Sequence, residues 1–153
     1  MDFHIINCFK MQLPGDVSSA SFFIALACLI KDSKLVINNL LLNKHRLGFI
    51  EVLKSMGANI IINNRKSSFN EAIGTVTVVG NRDLLPCRIS PSKISKMIDE
   101  ISLLALVCAH TKGISIIEGA SELRYKESNR YQGIIQILSK MGVDINEHNT
   151  DGF

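Results

Sequence analysis

Two stretches of the chain are apolar on nearly every side, and two others carry apolar residues on one face only. In SASFFIALACLI and ISLLALVCA no polar stripe recurs at helical spacing, so helices formed there have to be enclosed by sheet or by other helices. FIEVLKSM and YQGIIQILSKM alternate apolar with charged or amide positions at a period near 3.6, the mark of helices lying on a core. The pattern predicts helices near 18–31, 46–56, 98–111 and 129–141. The β-branched runs LVINN, NIIIN, SIIEG and VDINE predict strands. Gly57 and Gly142 stand just past the amphipathic helices, where a left-handed cap favours glycine. AIGTVTVVGNRDLLPCRIS reads as a hairpin with its turn near Gly80 to Asp83, and Pro91 opens a short helical turn.

The chain also repeats itself. IEVLKSMGANI at 50–60 aligns with IQILSKMGVDI at 135–145, and ALACLIKDSKLVI at 25–37 aligns with ALVCAHTKGISII at 105–117. The offset grows from 80 to 85, which puts a five-residue insertion between about 120 and 130 of the second copy. Insertions in repeats become loops on one face, often the functional face. The expected architecture is α/β, built of repeated βαβαββ units with buried helices and outer sheets. Phe22, Ile24, Leu26, Leu103, Leu106 and Cys108 are expected to be buried, and the domain reading is a single partial domain over 1–153. Its first unit spans about 8–88 and its second about 89–153, the latter incomplete at its C-terminal end.

Composition narrows the function classes. A length of 153 residues and 46% hydrophobic content suffice for a globular core, which makes disorder a poor reading. The net charge of +3 comes from 17 basic and 14 acidic residues spread without a basic stripe, so nucleic acid is not an expected partner. Cys8, Cys28, Cys87 and Cys108 lie far apart with no C-x-x-C, which reads as buried free thiols in a reducing cytoplasm and offers no metal site. The apolar run FFIALACLI is about half the ~20 residues a membrane span needs. The N-terminus MDFHIINCFK lacks the layout of a secretion signal, so the expected location is cytoplasmic.

Chemistry has two candidate seats. LPGDVSSASFF sets Pro14, Gly15, Asp16, Ser18 and Ser19 before the first apolar helix, where they make either an ordinary N-cap or an anion site, the cap being the simpler reading. Asp99 and Glu100 hold the corresponding place in the second copy, and a carboxylate there can take a proton or hydrogen bond from a bound hydroxyl. The inserted stretch ELRYKESNR gathers five charges in nine residues. Lys126 and Arg130 offer donors for phosphate or carboxylate, Glu127 can exchange protons, and Ser128 can cap the helix that follows. The competing reading is a solvated salt-bridge cluster. His4, His45, His110 and His148 show no mutual spacing that suggests ligation or a triad.

PGDVSSASFF, DEISLLALVCAHTKG and ELRYKESNR, in that order and spacing, resemble the 5-enolpyruvylshikimate-3-phosphate synthase family (3-phosphoshikimate 1-carboxyvinyltransferases) over nearly the whole chain. The resemblance implies the inverted enolpyruvyl transferase fold. It also implies transfer of enolpyruvyl from phosphoenolpyruvate to the 5-hydroxyl of shikimate 3-phosphate, in aromatic amino-acid biosynthesis, with no metal or organic cofactor. On it, Asp99 activates the hydroxyl, Lys126 contacts shikimate 3-phosphate, Glu127 protonates the enolpyruvyl methylene and Arg130 grips the phosphoenolpyruvate carboxylate. These groups should meet on one rim, with Asp99 within about 15 Å of Glu127. Asn129 and Ser102 depart from the family's usual Asp and frequent Pro. The chain reads as part of one of the family's two halves, inactive on its own without the remainder of the enzyme and prone to self-association. The alternative is a shortened, non-catalytic binding or assembly module of the same fold.

Overall fold

The computed structural model describes residues 10, 12–68, 70–80, 83–148 and 151–153. Cys8, His4 and most of the N-terminal stretch read above therefore lie outside the described residues. In chain order come α1 (Val17–Leu29), β1 (Lys34–Leu41), α2 (Gly48–Ser55), β2 (Asn59–Ser68) and β3 (Glu71–Val79). They are followed by β4 (Arg88–Ile89), α3 (Pro91–Ile94), a 3-10 turn (Ile98–Glu100) that runs into α4 (Ile101–Cys108), β5 (Ile116–Ile117), a second 3-10 stretch (Ser121–Tyr125) and α5 (Arg130–Lys140). The mixture of helices and sheets is the expected α/β class. Among the described residues no helix is long and apolar enough to cross a membrane.

β3 is the middle of a three-stranded sheet, antiparallel to β1 on one side and to β2 on the other. β4 and β5 form a short parallel pair, Arg88 opposite Ile116 and Ile89 opposite Ile117. Gly15 bridges Leu40 in the same parallel sense, so the entry to α1 in the first copy mirrors the strand before α4 in the second. The core is apolar and continuous: Ile24 and Cys28 of α1, Phe49, Ile50 and Leu53 of α2, Val76 and Val78 of β3, Ile101, Leu104 and Val107 of α4, and Tyr131 of α5 are all buried. Gly57 and Gly142 have φ of 92° and 86°, the left-handed caps expected after α2 and α5.

Three expectations are corrected. First, the uniformly apolar helices are not enclosed all round. Ile24 is buried and Leu103, Leu106 and Cys108 are half-buried, but Phe22 is 64% and Leu26 56% exposed, with Phe23 and Ile30 exposed beside them. Sheet and α4 cover two sides of α1, and among the described residues nothing covers the stripe through 22, 26 and 30. Second, β3 forms its hairpin with β2, from Ser68 opposite Glu71 to Asn59 opposite Val79, and does not pair with β4; Asn81 and Arg82 of the expected turn lie outside the described residues. With β1 and β2 on its two edges, β3 has no free edge for β4, which pairs with β5 instead.

Third, VDINE (143–147) forms no strand. A strand needs a neighbour to take its backbone bonds. Here 143–147 face a groove of about 450 Å³ whose other wall is 113–117. At one end of the groove Gly152 bridges Glu118 and His148 at once, and Phe153 and Ile117 exchange both backbone bonds at 2.8 and 3.0 Å. Residue 152 thus stands between two flanking segments as β3 stands between β1 and β2. A Cβ on Gly152 would lie 2.3 Å from the Ile117 carbonyl, and one on Gly74 of β3 would lie 2.8 Å from that of Asn63. In both places only glycine lets the backbones approach so closely. Tyr131 secures this end of the chain: its hydroxyl donates to the Gly152 carbonyl at 2.6 Å, and its ring meets Phe153 edge-on at 5.6 Å.

Candidate active site

The inserted stretch folds as the second 3-10 segment and the cap of α5. Asn129 adopts a non-helical conformation, and its side-chain oxygen accepts from the Gln132 N–H at 3.0 Å. Asn129, not Ser128, is therefore the cap, and an Asn does there what an Asp does, which keeps the helix start intact. Arg130 is the first helical residue and points back across the rim. Its Nη1 donates to Asp99 Oδ1 at 3.2 Å and its Nη2 to Glu127 Oε2 at 2.7 Å. Asp99 sits in the 3-10 turn that starts α4, so one guanidinium ties two helix starts and two carboxylates together. Asp99 and Glu127 are separated by no more than that guanidinium and two hydrogen bonds.

The cluster is open to solvent, with side chains 54% exposed for Asp99, 77% for Glu127 and 29% for Arg130. Glu127's own backbone N–H, followed by the Arg130 hydrogen bond and charge, holds its carboxyl below the ordinary range. The Glu127 hydrogen bond raises the Arg130 guanidinium in turn. Lys126 stands apart: its Nζ turns back to Glu122 at 3.7 Å. The structure brings Asp99, Glu127 and Arg130 into contact and leaves Lys126 in a separate pair.

The first motif settles as the simpler reading allowed. Asp16 caps α1, accepting from the Ser19 N–H at 2.8 Å and the Ser19 hydroxyl at 2.9 Å. The Ser19 amide is the main reason its carboxyl lies below the usual value. A small cavity of about 160 Å³ lies between this helix start and the Asp99 turn, lined by Ser18, Ser19, Phe22, Asp99, Glu100 and Leu103. The starts of the two apolar helices are thus two walls of one recess.

Sequence reading missed Arg46. It precedes α2, donates to Ser18 Oγ at 2.9 Å and pairs with Asp16 at 3.5 Å. It stands to Asp16 as Arg130 stands to Asp99, an arginine near the start of the amphipathic helix tied to a carboxylate just before the apolar one. The repeat offers no signal for it, because at the 85-residue offset Arg130 aligns with His45 and Arg46 with Tyr131. Among the described residues the larger groove is lined by Asp144, Glu147 and His148 with no lysine or arginine, a poor setting for anions.

Fold and rim together define an α/β domain that presents ionised side chains at adjacent helix starts. A family model for EPSP synthase (3-phosphoshikimate 1-carboxyvinyltransferase) matches residues 6–153, and the chain belongs to that family. It is 42% identical over 144 residues to the 3-phosphoshikimate 1-carboxyvinyltransferase of Thermodesulfovibrio yellowstonii, covering 94% of this chain and 34% of that protein. To the Petrotoga mobilis protein of the same name it is 45% identical over 141 residues, covering 92% of this chain and 32% of the relative. An EPSP synthase structure from Acinetobacter baumannii superposes with a TM-score of 0.86 at 32% identity, over 91% of this chain and 31% of that one. The chain spans about a third of the length of the relatives it matches.

Proposed function

We propose that this chain is a portion of a 3-phosphoshikimate 1-carboxyvinyltransferase and contributes one wall of its active site, built by two successive units at about 8–88 and 89–153. The observation that carries the reading is the Asp99–Arg130–Glu127 cluster at two adjacent helix starts in a chain of this family. Transfer of enolpyruvyl from phosphoenolpyruvate to the 5-hydroxyl of shikimate 3-phosphate adds a hydroxyl across a double bond and then expels phosphate. Addition requires a base for the hydroxyl and an acid for the methylene carbon. Asp99, bordering the recess, takes the hydroxyl proton, and Glu127 handles the proton at the methylene carbon. Arg130 exchanges its two carboxylate partners for the substrate carboxylate, for which its planar fork is suited. Lys126 releases Glu122 to meet the shikimate phosphate.

One wall alone neither excludes water nor positions two ligands. The 153-residue chain should therefore release no phosphate from the two substrates. With two half-buried, solvent-accessible cations as its main contacts, it should bind them no better than about millimolar. In a longer protein that carries these residues in context, Asp99→Asn should lower turnover by roughly 10²–10⁴. Unchanged turnover would reject the role of Asp99, and clear phosphate release by the 153-residue chain would reject the partial-wall reading.

The exposed stripe of Phe22, Leu26 and Ile30 favours a second reading, an assembly module without catalysis. On that reading Phe22→Ser with Leu26→Ser abolishes concentration-dependent association in sedimentation, while Asp99→Asn leaves that association unchanged.

A further inference from the structure

Cys87 lies just before β4 and Cys108 ends α4, and their sulfurs are 3.6 Å apart. Neither position is free to drift. The Cys87 N–H donates to Ser115 Oγ at 3.2 Å and its carbonyl accepts from the Ile116 N–H at 2.9 Å. The Cys108 carbonyl accepts from both the Thr111 N–H and the Thr111 hydroxyl, at 2.9 and 2.8 Å. Cys108 also lines the open groove between 113–117 and 143–147, so solvent reaches the pair. Cys28, by contrast, is buried in the core.

We propose that Cys87 and Cys108 form a redox-labile dithiol that a peroxide-class oxidant closes to an intramolecular disulfide. Closing the bond takes the sulfurs from contact to about 2.0 Å. The roles divide by environment. The Cys108 contact, together with Ser115 and the Lys93 charge, favours the thiolate at Cys87 against the effect of burial, while Cys87 and burial keep Cys108 protonated. The Cys87 thiolate attacks one peroxide oxygen, the O–O bond breaks, and hydroxide leaves with a proton from solvent as water, giving a sulfenic acid. The Cys108 sulfur then attacks Cys87 Sγ, forms the S–S bond and expels hydroxide, which takes the Cys108 proton and leaves as water. Two thiols are oxidised and one peroxide is reduced to two waters.

The test treats the 153-residue protein with hydrogen peroxide, alkylates the remaining thiols and maps the tryptic peptides. The expected product joins the peptide 83–88 to the peptide 97–112, with two fewer alkylations per chain, and dithiothreitol restores both. The disulfide closes a loop of 21 residues, so the oxidised form should also unfold at a higher temperature than the reduced one. In Cys108→Ser the link should vanish and dimedone should trap Cys87 as the sulfenic acid. A Cys8→Ser, Cys28→Ser variant keeps the pair intact and should link as the wild type does, which preserves the test if Cys108→Ser does not fold. Full alkylation of both peptides after peroxide, accumulation of sulfinic acid at Cys87 in the wild type, or a link through Cys8 or Cys28 instead would each overturn the proposal.

Discussion

Removing one oxygen from Tyr131 tests whether the last residues and α5 are held together as described. In Tyr131→Phe the ring remains, still edge-on to Phe153 and still beneath the Arg124 guanidinium, which lies 3.7 Å from its centroid. Only the hydroxyl's 2.6 Å bond to the Gly152 carbonyl is lost. That carbonyl keeps a second donor, the His148 N–H at 2.7 Å, so it is not left orphaned in the interior. The cost should therefore be one net hydrogen bond, about 1 kcal/mol, and not the larger penalty of an unsatisfied buried group. For a chain of this size that corresponds to a fall of about 2–4 °C in Tm.

Tyr131→Ala, which also empties a fully buried ring site, should cost roughly 3–5 kcal/mol. Urea unfolding at constant m separates the two variants, and hydrogen exchange at Phe153 should quicken in Tyr131→Phe because its segment loses a tether. A loss above about 3 kcal/mol for Tyr131→Phe would show that the carbonyl has no second donor. No loss at all would show that the bond is absent and that residues 151–153 do not lie between the two segments.

Two further perturbations test the helix starts. Asp16→Ala should cost about 1 kcal/mol through loss of the α1 cap. Because the folded-state carboxyl of Asp16 is depressed, its stabilisation is present above the ordinary value near ~3.9 and is lost as pH falls through the folded value, so wild type and variant should converge in acid unfolding curves. Glu127's own backbone N–H continues to depress its carboxyl in Arg130→Met, but with the Arg130 hydrogen bond and charge gone the group, followed by NMR, should titrate closer to the ordinary value near ~4.3. An unchanged Glu127 midpoint would show that the pair does not form in solution.

How much of this was legible in the chain depends on the range of the interaction concerned. The helices and their caps at Gly57 and Gly142 follow from residues a few positions apart, because propensity and periodicity act at that distance, and the internal repeat follows from matching such local patterns 80 to 85 residues apart. The inserted charges could be read as a candidate site because an offset between two copies isolates them without any contact being known. The meeting of Asp99 with Glu127 and Arg130 was expected through family resemblance, and it became a distance only when α4 and α5 packed side by side.

Strand pairing was beyond local reading. A β-branched run becomes a strand only if a neighbour supplies backbone partners, and β3 spent both edges on β1 and β2 while 143–147 faced a groove. Burial of α1 was misread for the same reason. Apolar residues on every side state that a helix needs covering, but which faces are covered depends on what packs there, and among the described residues nothing covers the stripe through Phe22 and Leu26. The twin of Arg130 at Arg46 and the contact between Cys87 and Cys108 likewise belong to the tertiary structure, since each joins groups more than twenty residues apart through backbone paths that only the packed fold defines.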